Sequence, residues 1–220
     1  MFNNLTSLLN DAIYLAPALL LTITFHEYAH GKVADMLGDP TPRANGRLTL
    51  NPITHIDPLG LIMLILVRFG WAKPVPVNPM YFRGDRRRGM LLVAVAGPLT
   101  NFFFAFVAGV GWTLAHPLFN LFGPASFHLW RFFDYFLIYN VFLGLFNLLP
   151  IPPLDGSKIL ASVLPPRYAY QFAQLEQYGF LILMLVLITR AHTFFLIPAA
   201  NFLMSLVFTF SQYLVLPFLG

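Results

Sequence analysis

Residues 12–30 read AIYLAPALLLTITFHEYAH, an apolar run from Ala12 to Phe25 that ends in His26-Glu27-Tyr28-Ala29-His30. HExxH is a zinc-binding pattern. On a helix, positions i and i+4 share a face, so both imidazoles can reach one metal ion, with Glu27 one residue round the turn as a candidate general base. Ionisable groups in a membrane-type segment are costly and mark a functional site by default. The bland alternative is a pair of histidines packed in a helix bundle. It weakens once a third ligand is found.

Composition sets the class. The chain has 220 residues, 58% hydrophobic and 10% charged, whereas soluble domains are about 25% charged. Several runs approach the roughly 20 apolar residues that cross a bilayer. The expected fold is an all-α polytopic membrane protein with about five transmembrane helices. Long apolar runs without dyad alternation argue against a β-barrel. Little chain remains beyond the membrane bundle, so residues 1–220 are expected to form one domain. There are no cysteines, which excludes disulfides and thiolate metal sites and leaves His, Asp and Glu as ligands. No Lys or Arg precedes the first apolar run, so it does not read as a cleavable signal. The net charge of +4 lies beside membrane segments, which points to orientation in the bilayer and not to nucleic acid.

Helices are expected over about 11–34, 90–115 and 130–149, then over about 177–189 and 194–217, the fourth being short unless it begins near Gln171. Leu59 to Phe69 is apolar but too short to span, and reads as re-entrant or interfacial. Leu48–Leu50 and Pro74–Asn78 read as short β-strands near the interface. With the 59–69 segment not crossing, eleven of the thirteen basic residues fall on one side, and only Arg131 and Arg190 lie opposite. The positive-inside rule makes the rich side cytosolic and puts the N-terminus outside. Arg86-Arg87-Arg88 fits that orientation signal.

The chain has nine acidic residues from which a third ligand can come. Asp11 is at the wrong end of its helix, Asp134 near the opposite face, and Glu176 at the start of a later helix. Asp35 and Asp39 are close in sequence but expected to be solvated. Asp155 stands out, in NLLPIPPLDG, residues 147–156, where prolines stiffen the approach and Gly156 permits close packing or an unusual backbone angle. Asp155 as the N-cap of a following helix is the equally weighted alternative. Only with the 59–69 segment not crossing does Asp155 return to the histidines' side, which agrees with the charge argument.

HEYAH followed far downstream by NLLPIPPLDG resembles the site-2 protease family of intramembrane zinc metalloproteases. Ala96-Gly97-Pro98 through Asn101, and GRLTLNP at residues 46–52 leading to His55-Ile56-Asp57, resemble further family segments. The likeness covers about residues 11–165 and implies a three-helix catalytic core, with two further helices over about 171–217. It implies one Zn2+ per chain held by His26, His30 and Asp155, Glu27 as catalytic base, and Asn147 near the scissile bond. Many members carry a preceding helix, a PDZ-like domain or CBS domains, and this chain is expected to be a compact form without them. The compact form points to a prokaryotic inner membrane, and the charge bias puts the active site toward the cytosol.

The implied activity is hydrolysis of peptide bonds within transmembrane segments, with a transmembrane protein or peptide substrate and the lipid bilayer as partners. Membrane-tethered regulators and remnant signal peptides are both implied as substrates. A metal-binding or metal-transporting protein is the reading from another class, but repeat symmetry and a path of ligands are missing. A non-catalytic scaffold of the same fold is the third. His55 is a weaker site candidate, and Asn101 reads either as lining the site or as polar glue between helices. Oligomeric state is open.

Overall fold

The computed structural model describes residues 2–67, 70–215 and 217. Helix α1 spans Phe2–Met36, and α2 is a single turn, Thr41–Ala44. A 3-10 turn, Pro52–His55, leads to α3, Pro58–Val67. After a 3-10 turn at Pro79–Tyr81 come α4, Arg86–Phe122, and α5, Pro124–Asn147. Helices α6, Asp155–Val163, and α7, Pro166–Ala173, precede a 3-10 turn at Gln174–Tyr178. Helices α8, Gly179–Ile188, and α9, Ala191–Val215, complete the chain.

Five stretches are long and apolar enough to cross a membrane: 11–36, 86–115, 126–147, 166–188 and 191–215. The five expected helices are therefore present. Their ends run past the apolar residues because polar side chains cap and continue them. The Asp85 carboxylate accepts the Arg88 N–H at 2.8 Å and so caps α4. That amide, ahead of the guanidiniums of Arg88 and Arg87, holds the Asp85 carboxyl below its ordinary range. Gly123, at φ +60°, turns α4 into α5, and Pro124 opens the new helix. The fourth stretch is composite. Its ten-residue α8 rises only ~15 Å, so the 3-10 turn and α7 must supply the rest of its length.

Helices α1, α4 and α5 pack pairwise, and α9 leans on α4 and α5. Two rows at i, i+4 spacing explain the fit. On α1, Ala18, Thr22, His26, His30 and Ala34 are all buried. On α4, Gly89, Val93, Gly97, Asn101 and Ala105 are buried likewise. One face of each helix thus carries small residues with polar groups set among them, which lets backbones approach and hydrogen bonds form in an apolar medium. Ala18, Ala105, Ala108, Phe136, Leu137, Val141 and Ala200 form the central core. A second cluster, Ala34, Phe82 and Val93, ties the loop before α4 to both long helices.

The expected strands are not formed among the described residues. The one β-bridge joins Ile56 to Ala72. Residues 74–78 form neither helix nor strand: prolines remove donors, and the Val75 and Asn78 N–H groups go to carboxylates instead of to a neighbouring strand. The expected apolar segment at 59–69 forms α3 as far as Val67, with residues 68 and 69 outside the described residues. Asp57 caps it through the Gly60 N–H at 2.8 Å. Its ten residues rise ~15 Å, half a bilayer core.

Gly109 marks where α9 meets α4: a Cβ there would stand 2.3 Å from Val207 Cγ1 and 2.9 Å from Ser211 Oγ. Gly109→Ala is expected to destabilise the bundle by about 1–3 kcal/mol, read as a lower unfolding temperature in detergent.

Candidate metal centre

Two helices deliver the three candidate ligands. His26 and His30 lie one turn apart on α1, and Asp155 is the first residue of α6. His26 Nε2 and His30 Nε2 are 3.0 Å apart, and Asp155 Oδ2 lies 3.1 Å from the first and 3.0 Å from the second. All three residues are buried, and among the described residues they form the one His/Asp/Glu group able to hold a metal ion. Tetrahedral ligands at zinc distances are separated by about 3.3 Å, so the triangle has the right size.

The donor chemistry also fits. His26 Nδ1 donates to Asn101 Oδ1 at 2.5 Å, and His30 Nδ1 donates to the Val93 carbonyl at 2.7 Å. Both partners are oxygens that accept, so each neutral ring carries its proton on Nδ1 and turns the Nε2 lone pair inward. Two lone pairs and a carboxylate oxygen converging within 3.1 Å repel one another unless a cation sits among them.

The polar support continues away from the site. Asn101 Nδ2 donates to Asn140 Oδ1 at 3.3 Å, and Asn140 Nδ2 to Thr22 Oγ1 at 2.9 Å and to the Phe136 carbonyl at 2.8 Å. Thr22 Oγ1 in turn donates to the Ala18 carbonyl. Asn101 is thus both glue between α4 and α5 and the group that orients His26. Gly97 makes room: a Cβ there would lie 2.4 Å from His30 Nε2 and 2.6 Å from His26 Cε1.

Asp155 is positioned by local geometry. The N-cap of α6 is Leu154, so the alternative of Asp155 as N-cap is not what forms. Gly156 serves close packing, since a Cβ would sit 2.3 Å from the Leu148 carbonyl oxygen. Lys158 Nζ stands 3.8 Å from the other Asp155 oxygen.

The remaining sequence candidates divide clearly. Glu27 Oε2 accepts the Val75 N–H at 2.9 Å, so the carboxylate next to His26 is tethered to the 74–78 segment. Asn147 ends α5 with its Nδ2 donating to the Leu143 carbonyl at 3.1 Å, a bond within its own helix. His55 is fully buried in the loop, 2.9 Å from the Thr49 carbonyl, and is not in the metal group. Asp11 pairs with Arg131 and Asp35 with Arg43, on the helix surfaces. Asp39 corrects an expectation: it is fully buried, because two backbone amides, Thr41 and Asn78, satisfy its carboxylate. Sequence reading missed Asn140 and Thr22. Their signal was present as polar residues inside apolar helices. The Val93 carbonyl carries no sequence signal.

The profile of Peptidase family M50 matches residues 113–190. Two curated relatives carry the name "Putative zinc metalloprotease": YwhC of Bacillus subtilis and Rip2 of Mycolicibacterium smegmatis. YwhC is 40% identical over 189 residues, 86% of this chain and 86% of its own length. The chain belongs to peptidase family M50, the site-2 proteases. Rip2 is 33% identical over 78% of this chain and 65% of its own length. No solved structure matches the chain. The protein is thus a zinc metalloprotease and an integral membrane protein.

Asn101→Ala removes the oxygen that fixes His26 and is expected to weaken zinc affinity about 10–100-fold. Gly97→Ala is expected to abolish stoichiometric zinc, because its Cβ overlaps both rings. Competition with a chromophoric chelator checks both.

Proposed function

We propose that this protein hydrolyses peptide bonds within transmembrane segments, with His26, His30 and Asp155 as the zinc ligands and Glu27 as the general base. The observation that carries the reading is the buried His–His–Asp triangle set between membrane-type helices, with an acid beside it. Zinc, when bound there, supplies a Lewis acid for the peptide carbonyl and lowers the pKa of a water ligand to about 7. Glu27 takes a proton from the attacking water and delivers it to the leaving amine, so no net proton is consumed by the side chain. The Val75 N–H holds one Glu27 oxygen and leaves the other for that proton. Asn147 has a second Nδ2 hydrogen beyond the one given to Leu143, and donates it to a backbone carbonyl of the bound substrate.

A transmembrane substrate hides its scissile amide in helical hydrogen bonds and must be extended to react. The 74–78 segment, tethered beside Glu27, captures the unwound chain by strand addition. Pro74, Pro76 and Pro79 stop that exposed edge from pairing with a second copy of itself. The short α3 enters the membrane without crossing it. The loop before α4 and the stretch following α5, which carry most of the basic residues, then share the cytosolic side with the metal, and the N-terminus lies outside an inner membrane. Membrane-tethered regulators and remnant signal peptides both meet the requirement of a single apolar helix. Residues 1–220 act as one domain.

Purified protein in liposomes with a tagged single-helix substrate tests the reading. Wild type is expected to cut it and a zinc chelator to stop the reaction. Glu27→Gln is expected to keep full zinc occupancy and lose about 10²–10⁴-fold in rate. Equal cleavage by the Gln variant would remove Glu27 from the role of base.

A further inference from the structure

The segment Trp71–Pro79 reads WAKPVPVNP. Prolines strip it of donors, so from Lys73 to Pro79 the backbone N–H groups belong to Lys73, Val75, Val77 and Asn78. Three of these four are committed to other elements. Lys73 N–H goes to the His55 carbonyl at 3.0 Å, Val75 N–H to Glu27 Oε2 at 2.9 Å, and Asn78 N–H to Asp39 Oδ2 at 2.7 Å. The Lys73 carbonyl accepts from Arg47 Nη2 at 2.5 Å, and Arg47 is itself buried. Val75 turns its side chain into α1, where Gly31 leaves the space: a Cβ at 31 would meet Val75 Cγ1 at 3.2 Å. Residues 73–78 are thus a strap held at both ends and at its middle.

Asp39 is the unusual member. A carboxylate with no exposed surface is costly unless hydrogen-bonded. Opening α2 would need only the local bond from Thr41 N–H, at 2.9 Å, and an exposed residue could make it. The other oxygen reaches a backbone amide 39 residues away in sequence. Glu27 and Asp39, both carried by α1 and the turn after it, hold amides three residues apart. In extended chain those points are separated by about 10 Å, so two anchors fix both the height and the register of the strap.

We propose that Asp39 is a positioning residue for peptide cleavage: together with Glu27 it fixes the register of the Lys73–Asn78 strap beside the metal site, and so decides which peptide bond of an extended substrate is cut. The inference rests on the proteolytic reading above. A slip of one residue along the strap moves a bound strand by about 3.4 Å and brings the neighbouring peptide bond to the metal. Asp39 touches neither metal ligand nor substrate. It acts through the backbone it holds.

The test compares wild type, Asp39→Ala and the milder Asp39→Asn, each as the full chain in liposomes. Zinc content and unfolding temperature identify the variants that fold. Hydrogen exchange of peptides covering residues 71–82, followed without substrate, reads the clamp independently of activity. Exchange in Asp39→Ala is expected to rise about 10-fold or more, as loss of a hydrogen bond to a charged group implies, with zinc still at one per chain. Asp39→Asn keeps one accepting oxygen and is expected to fall between. Mass spectrometry of the cleaved substrate then reads the cut, which is expected to spread from the wild-type bond to its neighbours as KM rises. Unchanged exchange in both variants overturns the clamp, whatever the activity. Faster exchange with an unchanged single cut overturns the role in register. A wild type that cuts nothing overturns the proteolytic reading, while exchange still judges the clamp.

Discussion

Two imidazoles and a carboxylate converge within 3.1 Å inside a bundle of apolar helices, and the surrounding structure answers to the cost of keeping them there. In an apolar medium each unsatisfied polar group costs several kcal/mol. The rings are therefore backed by oxygens, His26 by Asn101 and His30 by the Val93 carbonyl. Asn101 is backed by Asn140, and Asn140 by Thr22. The chain of bonds begins and ends on α1, so the helix that carries the histidines also anchors the network that orients them. A network closed in this way holds one tautomer and one ring orientation, which is what a metal site requires before the metal arrives.

The same constraint explains the small residues. Gly97 stands where any side chain would strike the histidine rings, and Gly156 where one would strike the end of α5. Ala18, Ala34 and Ala105 fill the rest of the facing rows without holding the helices apart. Helix α4 touches α1, α5, α6 and α9, and it contributes the Val93 carbonyl, the gap at Gly97 and the Asn101 amide from three successive turns of one face. Strength of packing and accuracy of the metal site therefore share the same residues.

Outside the bundle, irregular backbone beside membrane helices raises a second accounting problem, because it cannot satisfy itself. Prolines reduce the number of donors in residues 73–79, and Glu27, Asp39 and the His55 carbonyl take three of those that remain. This is why a stretch that looks like a strand forms no sheet among the described residues. Two of its partners are carboxylates already placed by α1 and the turn after it. The same bonds bring the backbone of this segment to Glu27, the neighbour of His26.

The membrane class, five apolar helices and the histidine pair sharing one helix face at i, i+4 were legible in the sequence, because hydrophobic length and helical period are local properties that a bilayer leaves little freedom to override. Asp155 was legible through the prolines and glycine around it, although its distance to the histidines was not. What only the tertiary structure decided are the contacts between residues far apart in the chain: Asn101 on His26, Asn140 on Thr22, Val93 on His30 and Asp39 on Asn78. Asp39 looked solvated because its sequence neighbours are polar turn residues, and it is buried because a backbone amide 39 residues later occupies its second oxygen. Burial and hydrogen-bond partnership depend on which surfaces meet, and backbone donors and acceptors leave no mark in a list of side chains.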